Sequence, residues 1–143
     1  MSEDARPAKI YLDSNALIYF VERADERQRR ISRFLAGAIE GGTTVVVSEV
    51  GIAECLYGAY KMNSAALEAQ YNEIFYDIAL FEIAPVDGER LKAAARIGAR
   101  KGLRLVDALH FVAAIESRCA QFLTNDARIR SSDGIEVVAV ARL

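Results

Sequence analysis

Residues 9–20, which read KIYLDSNALIYF, form an apolar run that breaks in its middle and then resumes. The break consists of Asp13, Ser14 and Asn15. Burying an unpaired carboxylate costs several kcal/mol or more, so a buried strand has no use for Asp13 unless a partner meets its charge. The pattern therefore predicts a buried strand over 9–12, with a compensating group facing Asp13 where the strand ends.

Strand-like and helix-like segments alternate along the rest of the chain. Besides 9–12, we predict strands at 43–47, 81–84, 121–124 and 136–139. We predict helices at 16–21, 26–40, 48–60, 63–79 and 87–101, and a further helix within 103–117. This alternation predicts a three-layer α/β/α fold with a mainly parallel central sheet. In such sheets the functional crevice lies beyond the carboxyl ends of the strands.

Chain length, hydrophobic content and the two cysteines indicate the class of protein. The chain has 143 residues, 52% of them hydrophobic, which is enough for one globular domain; residues 1–8 are expected to be a flexible lead. No apolar run reaches the ~20 residues that span a bilayer, and the polar N-terminus resembles no targeting peptide, so we expect a cytoplasmic protein. Cys55 and Cys119 are far apart and are predicted to be buried hydrophobic residues rather than a metal or redox pair.

Four carboxylates lie in apolar surroundings near one end of the predicted sheet. Asp13 and Asp126 follow the first and fourth strands, Glu54 lies early in the helix after the second strand, and Asp107 interrupts an apolar helix. If these groups converge, their mutual repulsion is expected to keep some of them protonated unless a cation is present. An all-oxygen ligand set selects Mg²⁺ or Mn²⁺ over zinc.

Each acid also has a structural explanation when taken alone. Asp13 and Asp126 could cap helices, and Asp107 could complement a helix dipole in the first turn. Glu54 is harder to explain in this way, because a carboxylate inside a helix has no cap to satisfy. The four together favour a metal site.

Three further polar side chains lie close to these acids in the sequence. Asn15 and Thr124 could supply additional oxygens or orient waters. His110, the only histidine, lies on the same helix face as Asp107 and could orient a water or a carboxylate. A histidine in this setting is more often a hydrogen-bonded, partly buried residue than a catalytic one.

The motifs YLDSNALIYF, SEVGIAECLYG, RLVDALHFVAA and FLTNDARI, in this order, resemble the PIN domain, and the chain length matches ribonuclease toxins of the VapC type. The resemblance covers residues 9 to about 140. It implies that the catalytic metal ligands are Asp13, Glu54, Asp107 and Asp126, supported by Asn15 and Thr124. It further implies a cytoplasmic Mg²⁺-dependent endoribonuclease, bound by a small cognate antitoxin and usually dimeric; Mn²⁺ is expected to substitute for Mg²⁺.

The residues fit phosphodiester hydrolysis independently of the resemblance. Such a reaction needs an activated water and stabilisation of charge on the phosphoryl oxygens, and one or two bound Mg²⁺ ions supply both. The choice between one and two ions, and the identity of the base, stay open at this stage.

A basic segment offers a candidate surface for RNA. Residues 90–104 contain six Lys or Arg residues and no acid, and Lys92, Arg96 and Arg100 recur every four residues on one helix face. We predict that Arg96 and Arg100 bind RNA; an ordinary solvated face explains the same pattern equally well.

Aromatic residues in the segment 57–81 suggest a partner surface. They are accompanied by one methionine: Tyr57, Tyr60, Met62, Tyr71, Phe75 and Tyr76. We expect the core to take more than half of these side chains. The remainder, with the short helix at 17–20, is predicted to form an antitoxin groove and a dimer contact.

Two rival functions remain at this stage. One is a PIN-like module that binds RNA or protein without cutting, although four intact carboxylates argue against it. The other is a metal-dependent phosphatase of the haloacid-dehalogenase type, which requires a second aspartate at the position of Asn15.

Overall fold

The computed structural model describes residues 8–126 and 128–143. The predicted flexible lead therefore lies, except for Ala8, outside the described residues. The strands are β1 Lys9–Leu12, β2 Val45–Ser48, β3 Glu82–Ala84, β4 Cys119–Thr124 and β5 Glu136–Ala139. The α-helices are α1 Ser14–Glu22, α2 Glu26–Glu40, α3 Glu49–Lys61, α4 Ala65–Asn72, α5 Gly88–Lys101 and α6 Leu105–Glu116. A π-helical turn covers Glu73–Asp77 and a 3-10 turn covers Val140–Arg142.

The five strands form one sheet in the order β3-β2-β1-β4-β5, and all four pairings are parallel. Tyr11 in the central strand pairs with Val46 on one side and Phe122 on the other. From β1 the chain builds outward to β3 on one side and then crosses to β4 and β5 on the other. The point between β1 and β4 is therefore the topological switch point, where ligands bind in open parallel sheets. The predicted α/β fold is confirmed.

Helices cover both faces of this sheet because the strands are apolar on both faces. Ile10 and Leu12 pack into a core cluster with α1, α2 and α3, whereas Tyr11 and Phe122 pack into a second cluster with Phe111 of α6. All five side chains are 4% exposed or less. Fully burying side chains of this size stabilises the fold by roughly 1.5–3 kcal/mol each.

Helix starts agree with the sequence, and some boundaries differ. The side chains of Asp25, Ser48 and Asp87 cap α2, α3 and α5, close to the predicted starts of these helices. The predicted helix over 63–79 is shorter: α4 gives way to the π-helical turn, and Ala79 lies beyond it with a φ of 53°. A left-handed residue cannot continue a right-handed helix, which explains the earlier end.

A close contact between α5 and α6 sets where α6 begins. A Cβ atom at Gly98 would lie 3.1 Å from the Leu103 carbonyl oxygen and 3.2 Å from Cβ of Ala108. Only glycine permits this approach without a shift of the backbone. The contact positions the turn that carries Arg104 and the first turn of α6.

The two cysteines lie in the core, as the sequence predicts. Cys55 and Cys119 are buried and free, and burial raises the pKa of each thiol to about 12. They are therefore protonated and unreactive near neutral pH, as expected of buried hydrophobic cysteines. Among the described residues, no helix is long and apolar enough to cross a membrane.

Candidate active site

A cavity of about 390 Å³ opens at the carboxyl end of the sheet, beside β1 and β4. It is lined by all four predicted acids together with their neighbours: Asp13, Ser14, Asn15, Glu54, Arg104, Leu105, Val106, Asp107, His110 and Asp126. The acids come from four different parts of the chain. The tertiary structure therefore brings together the four carboxylates that the sequence singled out.

Asp13 is the most buried of these acids, with 3% of its surface exposed. The Ser14 N–H donates to its Oδ1 at 2.9 Å, and the Thr124 hydroxyl donates to its Oδ2 at 2.7 Å. Burial raises the pKa of Asp13, and these two hydrogen bonds and the nearby His110 offset part of that increase. Asp13 therefore caps α1 and also faces the cavity.

Thr124 and Asn15 fix the loop that follows β4. The Thr124 hydroxyl oxygen accepts from the Asp126 N–H at 3.0 Å, and the Asn15 side-chain oxygen accepts from the Asn125 N–H at 2.9 Å. These bonds join the loop to β4 and α1. The role that the structure supports for both residues is to position Asp126 and Asp13.

Asp126 itself is bound by an arginine two residues further on. Arg128 Nη2 donates to Oδ2 at 2.7 Å and Nε donates to Oδ1 at 3.0 Å. This paired hydrogen bond with a cation lowers the pKa of Asp126 to about 2. A similar pair lies across the cavity, where Arg104 Nε donates to Oδ2 of Asp107 at 2.9 Å.

Glu54 belongs to a hydrogen-bond chain that runs into the core. Its Oε1 lies 2.5 Å from His110 Nε2, and His110 Nδ1 lies 2.6 Å from the Tyr11 hydroxyl oxygen. Tyr11 also donates to Oγ of Ser48, which in turn accepts from the Gly51 N–H at the start of α3. The chain thus links β1, α3 and α6, which carry or precede three of the four acids.

These hydrogen bonds shift the pKa values of both His110 and Glu54. Burial by itself would lower the pKa of His110, but the hydrogen bond to Glu54 and the charges of Asp13 and Glu54 outweigh burial, so the pKa is raised. Burial would likewise raise the pKa of Glu54, yet the hydrogen bond and charge of His110 outweigh it, so the pKa is lowered. Both directions favour the charged form of each group, imidazolium for His110 and carboxylate for Glu54.

The expectation that repulsion keeps some of the carboxylates protonated does not hold for Glu54 and Asp126, whose pKa values are lowered because each has a basic partner. It is right in direction for Asp13, where burial is the main cause and repulsion from Asp107 a minor one. The sequence interpretation missed the partners Arg104 and Arg128. Their spacing, three residues before one acid and two after the other, was the available signal.

The donor chemistry fits a hard divalent cation, since four carboxylates face one cavity with a net excess of acid. Asp13, Glu54, Asp107 and Asp126 would hold such an ion. As they stand, no three His, Cys, Asp or Glu side chains within 8–126 and 128–143 form a ligand group. Arginines and a histidine contact carboxylate oxygens of Asp107, Asp126 and Glu54.

The predicted RNA-binding arginines lie elsewhere on the surface. Arg96 and Arg100 are on the exposed face of α5 and do not line the cavity. Arg100 Nη2 lies 4.0 Å from Oδ1 of Asp133, in a weak surface ion pair.

The aromatic segment is more exposed than expected. Only Tyr71 and Phe75 of the six predicted side chains are buried. The other four are 57–64% exposed: Tyr57, Tyr60, Met62 and Tyr76. The expectation that the core takes more than half is therefore wrong. Leu17 is fully buried and cannot contribute to a surface groove.

Comparison with known proteins agrees with this fold. The model of the PIN domain matches residues 10–135, and the chain belongs to the PIN-domain family. No curated protein sequence matches the chain.

Solved structures show the same fold at low sequence identity. The FitAcB structure from Neisseria gonorrhoeae is 19% identical with a TM-score of 0.71, covering 94% of this chain and 99% of that one. A toxin–antitoxin complex from Klebsiella pneumoniae is 19% identical with a TM-score of 0.68, covering 92% and 97%. VapC20 of Mycobacterium tuberculosis, a toxin that cleaves the sarcin-ricin loop, is 15% identical with a TM-score of 0.66, covering 79% and 86%.

Proposed function

We propose that this protein is a metal-dependent endoribonuclease of the VapC type and the toxin of a toxin–antitoxin pair. The observation that carries the proposal is the arrangement of Asp13, Glu54, Asp107 and Asp126 around one cavity at the switch point of a PIN-domain sheet. Mg²⁺ is the proposed cofactor, and Mn²⁺ is expected to replace it. A divalent ion there would activate water and stabilise charge on the phosphoryl oxygens.

The chain's own residues would prepare the cavity for this chemistry. Thr124 and the Ser14 N–H fix both oxygens of Asp13, so the buried carboxylate has one orientation. His110 fixes one oxygen of Glu54, whose side chain is 39% exposed and in contact with solvent. Such supporting contacts tune the affinity of a metal site and the orientation of its ligands.

RNA is the proposed substrate. The similarity in fold to a toxin that cleaves the sarcin-ricin loop supports this choice. Arg96 and Arg100 on α5 are proposed to contact the RNA backbone, where exposed arginines bind phosphates without reading sequence.

A small antitoxin is the proposed protein partner, and a homodimer is the proposed form of the toxin. Solved complexes of toxins with antitoxins share the fold. The surface formed by Tyr57, Tyr60, Met62 and Tyr76 supplies exposed aromatic area, which is enriched at protein interfaces. Both partners act in the cytoplasm in this proposal.

A second candidate is a PIN-like module that binds RNA without cutting it. The ion pairs Arg104–Asp107 and Arg128–Asp126 favour it, since both acids already have cationic partners. A phosphatase is less well supported, because Asn15 uses its side-chain oxygen to fix the loop after β4 and offers no second carboxylate.

The deciding experiment is cleavage of total cellular RNA by the purified protein with Mg²⁺, with Mn²⁺ and with a chelator. We expect cleavage with either metal and none with chelator, and a loss of roughly a thousandfold in Asp13→Asn or Asp107→Asn. Asp77→Asn, at an exposed aspartate away from the cavity, is the matched control and should cleave normally. Full activity in chelator or in Asp13→Asn would refute the nuclease proposal, whereas RNA binding without products would support the second candidate.

A further inference from the structure

Two of the four carboxylates at the cavity are bound by arginines from the same short segments. Arg128 contacts both oxygens of Asp126, with its shortest contact 2.7 Å, and Arg104 Nε lies 2.9 Å from Oδ2 of Asp107. Each arginine is two or three residues from its acid. Neither was needed to explain the fold, since α6 has no side-chain cap at Arg104.

The two partners in each pair differ in exposure. The side chains of Arg104 and Arg128 are 68% and 66% exposed, whereas those of Asp107 and Asp126 are 15% and 14% exposed. The carboxylates are therefore fixed at the cavity wall while the guanidinium groups extend into solvent. Because each guanidinium group is about two thirds exposed, water can solvate it when it leaves the pair.

A guanidinium group and a divalent cation compete for the same oxygens. Arg128 occupies both oxygens of Asp126, so a metal ion can use that carboxylate fully only if the arginine gives up at least one hydrogen bond. The same holds for Oδ2 of Asp107 and Arg104. A planar guanidinium released in this way is also the group best suited to bind a phosphate.

We propose that Arg104 and Arg128 are exchangeable counter-ions: they neutralise Asp107 and Asp126 until a divalent cation binds, and then bind the phosphate groups of the RNA. This inference rests on the proposed function, because it assigns the metal to these carboxylates. The exchange predicts opposite changes in the affinities for metal and for RNA. Removing either arginine should strengthen metal binding and weaken RNA binding in the presence of metal.

The test uses the full-length protein and Mn²⁺ alone, measured by calorimetry, with wild type, Arg104→Gln and Arg128→Gln. We expect each variant to bind Mn²⁺ at least about fivefold more tightly, within the usual range of coupling between two linked sites. Arg130→Gln is the matched control. Arg130 lines a neighbouring cavity together with Arg128 and, among the described residues, makes no ion pair, so its loss should change Mn²⁺ affinity less than twofold.

A second measurement follows binding of a short single-stranded RNA with and without Mn²⁺. Wild type should bind RNA more tightly when Mn²⁺ is present, and Arg128→Gln should lose most of that gain. Unchanged or weaker Mn²⁺ binding in both variants overturns the proposal, and so does an equal increase in Arg130→Gln, which would reflect overall charge only.

The outcomes separate this proposal from the proposed function. Tighter Mn²⁺ binding in the arginine variants, together with absent RNA cleavage, would support the exchange and refute the nuclease. Failure of Mn²⁺ to bind to any form would overturn both. Binding of Mn²⁺ with RNA cleavage, but without a difference between wild type and the arginine variants, would overturn the exchange alone.

Discussion

Tyr11 and His110 are joined inside the core by a contact of 2.6 Å between the phenol oxygen and Nδ1. Both side chains are almost fully buried, and His110 uses its other nitrogen to contact Glu54. The position of a carboxylate at the cavity is thus coupled to a phenol in the central strand. This coupling makes Tyr11 a positioning residue for Glu54 although it does not line the cavity.

Tyr11→Phe should lower both stability and metal affinity. The change leaves Nδ1 of His110 without its buried partner, which costs about 1–3 kcal/mol in the free energy of unfolding. A less well oriented Glu54 should also reduce Mn²⁺ affinity by roughly tenfold. Denaturant unfolding and calorimetry measure the two effects.

The matched control is Tyr19→Phe, because the Tyr19 hydroxyl contacts Asp25 at the protein surface. It should leave Mn²⁺ affinity unchanged. If Tyr11→Phe loses stability but binds Mn²⁺ normally, the hydrogen bonds that join Tyr11, His110 and Glu54 serve the fold only.

Asp13→Asn should stabilise the metal-free protein in a pH-dependent way. Burial raises the pKa of Asp13 above its ordinary value of 3.8. Below that value both the folded and unfolded chains are protonated; as pH rises, the unfolded chain releases its proton first, and the folded state loses relative stability until its own pKa is passed. The penalty is therefore absent in acid and complete above the pKa of Asp13 in the folded state.

Thermal unfolding of wild type and Asp13→Asn in chelator, between pH 4 and 8, checks this prediction. The difference in melting temperature in favour of Asp13→Asn should widen as pH rises. Asp77→Asn should show no such widening. A constant difference across the pH range would contradict a raised pKa at Asp13.

Arg96→Ala should weaken RNA binding without abolishing turnover of bound RNA. Arg96 lies on the exposed face of α5, away from the cavity. Loss of one phosphate contact should reduce the slope of log affinity against log salt by about one. Arg118→Ala, at the turn before β4 and thus at the opposite end of the sheet, is the control. Equal effects of the two substitutions would show that α5 has no special role.

Replacing Tyr57 and Tyr60 by serine should disrupt the antitoxin complex and leave the fold intact. The two side chains lie one turn apart on α3 and are 64% and 59% exposed. Tyrosine is enriched among interface hot spots, whose truncation costs about 2 kcal/mol or more, so the double change should weaken binding by at least about thirtyfold. Co-expression with the proposed antitoxin, sought as a small open reading frame next to the gene, followed by size exclusion, measures this. Leu91→Ser, at an exposed apolar residue of α5, should preserve the complex.

The sequence by itself determined the order of the elements and the residues that end them. Asp13 stops the first strand because an unpaired charge cannot continue an apolar strand. Asp25, Ser48 and Asp87 start helices because their side-chain oxygens accept from the backbone N–H three residues further on. These effects are local, so neighbouring residues suffice to reveal them. The same logic pointed to acids at strand ends as a site.

Only the tertiary structure decided which partner each acid has. His110 is 56 residues from Glu54 and three from Asp107, yet it contacts Glu54, because the packing of α6 against α3 outweighs closeness along the helix. Likewise, the sequence pointed to five aromatic side chains and Met62 in segment 57–81 as a partner surface, but it did not show which four of these six stay exposed. The pairing of distant groups, and the exposure of side chains at the margin of the core, depend on how distant elements pack and on the register of the sheet.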